Sequence, residues 1–179
     1  MTYPLFQQAF VVTDLERSVE EWSRLFGAGP FAIRPHHRAK RFSYRGTPQE
    51  ADVSYAFGYL GDTMIQLIEQ HDDVPSIYRE MYARGEAGFH HVACLVHDFP
   101  AARQYFLDAG FELACELWTG GVDAAYFDTR AVMGGFTEIH GDPPYIVETF
   151  AGWRQAHASH RPSDPAVLPA RGSAAPDVG

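Results

Sequence analysis

Only two cysteines, Cys94 and Cys115, occur in 179 residues, too few for a disulfide framework. Cys94 lies inside an apolar run, where a free thiol behaves as a small hydrophobe. No apolar stretch approaches the roughly 18 residues of a membrane span. The opening residues Met1 to Phe6 lack the basic region and apolar segment of a secretory signal. Excess positive charge is also missing: 14 Lys and Arg face 23 Asp and Glu, for a formal net charge of −9. That balance argues against nucleic acid or an anionic membrane as the main partner. Together these absences lead to the expectation of a cytoplasmic protein. Apolar residues are plentiful at 46%, enough to build the core of one domain or two small fused modules.

The chain carries an internal repeat. Gln7-Gln8-Ala9-Phe10-Val11-Val12-Thr13-Asp14 returns 84 positions later as His91-Val92-Ala93-Cys94-Leu95-Val96-His97-Asp98. Each copy reads as a buried strand followed by an Asp placed to cap a helix. Val19, Trp22, Leu25 and Phe26 at helical spacing predict a helix over 15–26, closed by Gly27. Ala101, Ala102, Tyr105, Phe106 and Ala109 predict its counterpart, in which Pro100 is tolerated in the first turn. Strands are expected near 31–34, 54–59 and 63–68 in the first copy, and near 112–118, 123–128 and 135–140 in the second. The unit is βαβββ, twice. Residues 35–53 give no clear pattern, but Arg34, Arg38, Lys40, Arg41 and Arg45 gather basic charge there. This stretch suits either an anionic substrate or a solvated loop. A short linker helix is expected over about 76–84 and a last helix over about 145–158. From Ser159 to residue 179 the Pro-rich, polar composition predicts a disordered tail.

Alternation along a strand separates two faces. With Phe10 and Val12 on the helix side, Gln7, Ala9 and Val11 fall on the opposite, concave side. In the second copy the equivalents are His91, Ala93 and Leu95. Gln66 interrupts the run from Met64 to Ile68, and Glu138 interrupts the run around Phe136 and Ile139. Gln7 with His91, and Gln66 with Glu138, thus occupy matching places. A buried carboxylate needs a partner or a cation, and one His, one Glu and two amide oxygens can hold a divalent metal. The plainer reading is surface-facing polar residues and a His-His pair at a strand end. Gln8 exchanges with Gln7 if the register slips by one. Tyr55, Tyr59 and Tyr126 read as core or cavity wall; His140, two residues after Glu138 and on the same face, reads either as a contact to the metal or substrate or, in preference, as a solvent-facing strand end.

His90-His91-Val92-Ala93-Cys94-Leu95-Val96-His97-Asp98, Met64-Ile65-Gln66-Leu67-Ile68-Glu69 and Gly135-Phe136-Thr137-Glu138-Ile139 resemble segments of the vicinal oxygen chelate superfamily. That group includes glyoxalase I, methylmalonyl-CoA epimerase, extradiol dioxygenases and bleomycin-resistance proteins. The resemblance covers about residues 5–142 and is nearest to the glyoxalase/epimerase-like branch. It implies an α+β fold of two tandem βαβββ modules, about 5–70 and 89–142, forming a half-open mixed β-barrel around a central cavity within a single domain over 1–158. It also implies a divalent metal (Co, Ni, Mn, Zn or Fe) held by Gln7, Gln66, His91 and Glu138. Glu138 would then carry a proton at the carbon beside a substrate carbonyl through an enolate-like intermediate, with Glu50 as the nearest candidate for a second base. Gln7 departs from the family, which usually has His at that place, and an amide holds late first-row metals less well than imidazole. The functions implied are a metal-dependent isomerase, epimerase or lyase on a small carbonyl substrate, or a metal-free small-molecule binder. An extradiol dioxygenase is the third class, and it needs a second His that Gln7 removes. A homodimer is compatible with the family, as is closure of the site within one chain.

Overall fold

The structure is a computed structural model that describes residues 3–161 and 163–169. The first copy runs β1 (Leu5–Val11), α1 (Leu15–Phe26), β2 (Ala32–His37), β3 (Arg41–Tyr44), β4 (Thr47–Pro48), β5 (Val53–Leu60) and β6 (Thr63–Gln70), then α2 (Ile77–Met81). The second runs β7 (Gly88–Val96), α3 (Phe99–Asp108), β8 (Leu113–Thr119), β9 (Val122–Phe127), α4 (Arg130–Met133) and β10 (Phe136–Gly141), and α5 (Pro144–Ser159) follows. Both expected caps form: Asp14 accepts from the Arg17 N–H and Asp98 from the Ala101 N–H. Gly27, at φ 70°, ends α1 in the left-handed region that glycine adopts without penalty.

Among the described residues all strands join one ten-stranded mixed sheet in the order β2-β5-β6-β1-β7-β10-β9-β8-β3-β4. The two modules meet where β1 pairs antiparallel with β7, and each first strand lies parallel to its own last strand, β1 with β6 and β7 with β10. This is the expected fold of tandem βαβββ units curled into a half-barrel, with one addition. The unreadable stretch 35–53 contains the β3–β4 hairpin, which leaves its own module and pairs with β8 of the other. Arg45, at the hairpin turn, binds Glu80 on α2 and Asp128 in module two, each at 2.7 Å. Part of the basic stretch is therefore bound up internally, and Arg41 likewise pairs with Asp123.

Helix α1 covers the outer face of module one through Leu15 and Val19 against Ile65 and Leu67, and α3 covers module two through Ala102 against Val96 and Ile139. The concave face is filled from both modules by Val11, Tyr55, Ile68, Cys115, Tyr126 and Phe136, with Ile77 and Tyr78 of α2 packed among them. Helix α5 closes another part of that face. Phe150 and Trp153 pack on Tyr59 and Met64, and the Trp153 ring stacks on Phe57 at 5.5 Å. Trp153→Ala is expected to lower unfolding free energy by about 3–5 kcal/mol, the usual cost of emptying a buried aromatic site, measured by urea denaturation.

The tail departs from its expectation in part. Ser159 still belongs to α5, and Val167 forms a parallel bridge with Phe31. The Phe31 N–H donates to Ala166 O, and the Leu168 N–H donates to Phe31 O. Ala166 and Leu168 also pack against the core clusters beside Phe31, so this short apolar segment gains contacts that its composition does not advertise. Residues 170–179 lie outside the described residues. Among the described residues, no helix is long and apolar enough to cross a membrane.

Candidate active site

Pairing on the two central strands brings four separated residues together. Gln7 of β1, Gln66 of β6, His91 of β7 and Glu138 of β10 are each at most 4% exposed. Gln7 Nε2 donates to Gln66 Oε1 at 2.8 Å and lies 3.5 Å from His91 Nε2. His91 Nε2 lies 3.0 Å from Glu138 Oε2. Gln8 is exposed, so the register places Gln7 inward.

A fifth residue belongs to the cluster. Ala9 pairs with His91 but Phe10 pairs with Phe89, so His90 is an extra residue in a β-bulge. A bulge breaks the alternation of faces, and both His90 and His91 are fully buried. His90 Nδ1 and His91 Nδ1 are 2.8 Å apart, and His90 Nε2 is 3.0 Å from Ile77 O. A carbonyl only accepts, so His90 Nε2 carries the proton. Burial, and then the neighbouring His91, pull the His90 pKa down to about 3, so the ring is neutral and its Nδ1 accepts. His91 Nδ1 must then donate, and burial likewise lowers the His91 pKa to about 3. The bare lone pair of His91 Nε2 is left facing Glu138.

Two acceptors cannot share a 3.0 Å contact without a proton or a cation between them. Burial supplies the proton by raising the Glu138 pKa to about 7, against the opposing influence of His140 and of the Tyr126 hydroxyl, which donates to it. The same contacts suit a divalent ion. Bonds of 2.0–2.1 Å in octahedral geometry set neighbouring donors about 3 Å apart, close to the spacings found. A His whose other nitrogen is held by a hydrogen bond is the usual prepared ligand. Gln7 and Gln66 would each present Oε1 after turning the amide. The donor set therefore fits a metal, with one imidazole, one carboxylate and two neutral amides.

The remaining sequence candidates divide between the surroundings of the quartet, where Tyr126 and His140 act on Glu138, and other parts of the chain. Glu50 is in the loop before β5 with its side chain 91% exposed, 4.0 Å from Arg38. It lines a cleft of about 700 Å³ with Arg38, Lys40, Arg41, Glu116 and Asp123, and no residue of the buried quartet lines that cleft. His140 is not a solvent-facing strand end. Its ring is part-buried between Phe6 and Phe150, because α5 crosses over it. Tyr55, Tyr59 and Tyr126 are buried as expected. His90 was missed as a site residue. The His-His doublet was visible, but the bulge that turns both rings inward depends on pairing with β1.

Gly135 fixes how β10 lies on β7. A Cβ there would sit 2.5 Å from His90 O, a backbone atom that cannot swing away. Gly135→Ala is expected to destabilise the protein by about 1–3 kcal/mol through overpacking and to shift Glu138 relative to His91. Thermal melting, together with the response of melting to added metal, would check this.

Fold and site together define a protein of two fused βαβββ modules with a polar quartet buried across their junction. The chain belongs to the Glyoxalase/Bleomycin resistance protein/Dioxygenase superfamily, whose family model matches residues 6–127. Among solved structures it is similar to methylmalonyl-CoA epimerase from Mycobacterium tuberculosis, at 17% identity and TM-score 0.54 over 80% of this chain and 91% of that one. It is similar to a hypothetical protein from Bacillus halodurans at 16% identity and TM-score 0.57, over 80% and 96% of the two chains. A Streptomyces coelicolor methylmalonyl-CoA epimerase variant in complex with 2-nitronate-propionyl-CoA matches at 18% identity and TM-score 0.54, over 79% and 95%. At these identities the likeness is one of fold. Among curated protein sequences, none matches the chain.

Proposed function

We propose that this protein is a metal-dependent isomerase, epimerase or lyase that moves a proton at the carbon beside a substrate carbonyl. Gln7, Gln66, His91 and Glu138 would hold the ion, and Glu138 would act as the base. The observation that carries this reading is the run of hydrogen bonds from Ile77 O through His90 to His91, which fixes the tautomer and leaves His91 Nε2 bare against Glu138. A bound divalent ion would supply Lewis-acid polarisation of the carbonyl oxygen. Glu138, the one carboxylate of the quartet, would accept the proton and return it. Tyr126 holds that carboxyl by donating to it. Burial of all four side chains keeps water from competing. Glu50 stands apart from the quartet, so the reading rests on one carboxylate, with Glu50 retained as the candidate second base only for a substrate that reaches the cleft. The fold neighbours include an epimerase in complex with methylmalonyl-CoA and NH4+, which supports an acyl-CoA thioester as a first substrate to try.

The test is metal analysis of protein purified without chelator, followed by deuterium uptake from solvent into methylmalonyl-CoA and into α-hydroxy ketones. Cobalt, nickel, manganese, zinc and iron(II) would be tried in turn. Uptake that depends on metal is expected. Absence of both bound metal and uptake under all five ions would overturn the reading. A second reading, a metal-free binder, draws on Gln7 standing where the family usually has His. It also draws on the complete pairing of buried side-chain nitrogens and oxygens among the described residues. Ligand-induced thermal shifts unchanged by EDTA would favour it.

A further inference from the structure

A second group of ligand-type side chains lies outside the quartet, at the outer end of module one. His36 is in edge strand β2, Asp52 just before β5 and His71 just after β6. One ligand atom from each lies within 4.8 Å of the others. A register slip between the pairs Arg34–Tyr55 and His37–Val53 releases His36 from the ladder. Its backbone takes φ 46°, a region where His is several-fold enriched over most residues. The His36 and His71 rings then lie 4.6 Å apart at 33°.

Hydrogen bonds reach both rings. The His36 backbone N–H donates to Ser54 Oγ at 3.0 Å. The Ser54 hydroxyl is also 2.7 Å from His71 Nε2, and its own proton is available to that nitrogen. His71 Nδ1 is 3.5 Å from Glu69 Oε1, and the other Glu69 oxygen accepts from the Leu15 N–H at 2.8 Å. A proton on His71 Nδ1 would face this fixed carboxylate and leave Nε2 with its lone pair. A carboxylate behind an imidazole is how proteins orient a metal-binding histidine. On the other side, His36 Nδ1 is 2.9 and 3.1 Å from the two oxygens of Asp52. That is already within the spacing of about 3.4 Å between donors in a tetrahedral site with bonds near 2.1 Å. The three donors lie within 4.8 Å of one another and would have to draw closer around an ion, and the His36 side chain is 65% exposed.

We propose that His36, Asp52 and His71 form a second divalent-cation site, suited to zinc, with water as the fourth ligand. Two imidazoles and one carboxylate are a preferred donor set for that ion. A bound ion would pin edge strand β2 to the ends of β5 and β6. The site opens to solvent, whereas the quartet is buried, so it loads and unloads quickly and is stripped first by chelators. It does not depend on the quartet binding anything.

The experiment is calorimetric titration of metal-free, full-length protein with zinc chloride. The variants are His36→Asn/His71→Ala and, separately, His91→Ala/Glu138→Gln, with visible absorption of the cobalt(II) forms as a second readout. Asparagine tolerates the left-handed backbone at position 36, and circular dichroism would confirm that each variant folds. Wild type is expected to bind two ions, and each double variant one. One ion in wild type that is lost only in His36→Asn/His71→Ala would support this site and overturn metal binding by the quartet. One ion lost only in His91→Ala/Glu138→Gln would overturn this site. Unchanged stoichiometry and affinity in a folded His36→Asn/His71→Ala variant would overturn it as well.

Discussion

Glu138→Gln is expected to slow metal-dependent proton exchange by about 10²–10⁴-fold, the usual contribution of a positioned general base. The same variant should make the metal-free protein more stable above pH 7. The two effects share one cause. Burial holds the Glu138 carboxyl protonated up to a pH of about 7, against an ordinary value of 4.5. The folded state then binds this proton more tightly than the unfolded chain. Its stabilising contribution is full below pH 4.5 and is lost as pH rises through 7. At about 1.4 kcal/mol per pKa unit the whole effect is on the order of 3 kcal/mol. A glutamine amide donates to His91 Nε2 as the acid does and does not titrate, so the variant keeps at pH 8 what the wild type loses. His90 and His91 act in the opposite sense, since pKa values lowered to about 3 make both proteins gain stability as pH rises toward 6.5. The difference between wild type and variant isolates the carboxyl. Urea denaturation from pH 5 to 9 and exchange rates at saturating metal would check both parts. Near wild-type exchange in the variant would remove Glu138 from the chemistry, and superimposable pH profiles would show that the carboxyl is not held protonated.

His91→Ala is expected to abolish the thermal stabilisation that metal gives the quartet. Binding to the folded state at a hundred times Kd adds about 2.7 kcal/mol. For a chain of this size that raises Tm by about 5–10 °C. Measurement in the His36→Asn/His71→Ala background limits the response to the quartet. His91 supplies the only imidazole among the four ligands, so without it one carboxylate and two neutral amides remain, a weak set for a late first-row ion. Gln7→His should act in the opposite direction, tightening the site and enlarging the shift. Differential scanning fluorimetry with cobalt, nickel and zinc would report both. A full shift in His91→Ala would place the ion elsewhere.

Much of the fold was legible because it rests on local pattern. The repeated strand, Asp cap and amphipathic helix specify β1–α1 and β7–α3 from their own residues, and the apolar runs around Gln66 and Glu138 specify β6 and β10. The β3–β4 hairpin was not legible. It has few apolar residues of its own and gains its order from pairing with β8, more than 70 residues away, and from Arg45 reaching Glu80 and Asp128. The segment around Val167 is similar, since its stability comes from hydrogen bonds to Phe31. His140 reads as a strand end in isolation and is covered only because α5 folds back across it.

The site divides along the same line. Alternation within each strand determined by itself that Gln7, His91, Gln66 and Glu138 occupy matching positions, because side-chain direction in a strand follows from local geometry. Only the tertiary structure decided that they converge, since that requires β1, β6, β7 and β10 to be neighbours. The bulge opposite Ala9 and Phe10 brought in His90, a matter of strand register that no local pattern records. The protonation pattern was likewise decided in three dimensions. The tautomer of His91 depends on a carbonyl in α2, and the pKa of Glu138 depends on burial beneath residues from both modules. Sequence therefore determined which donors exist, and the fold decided how they are charged and aimed.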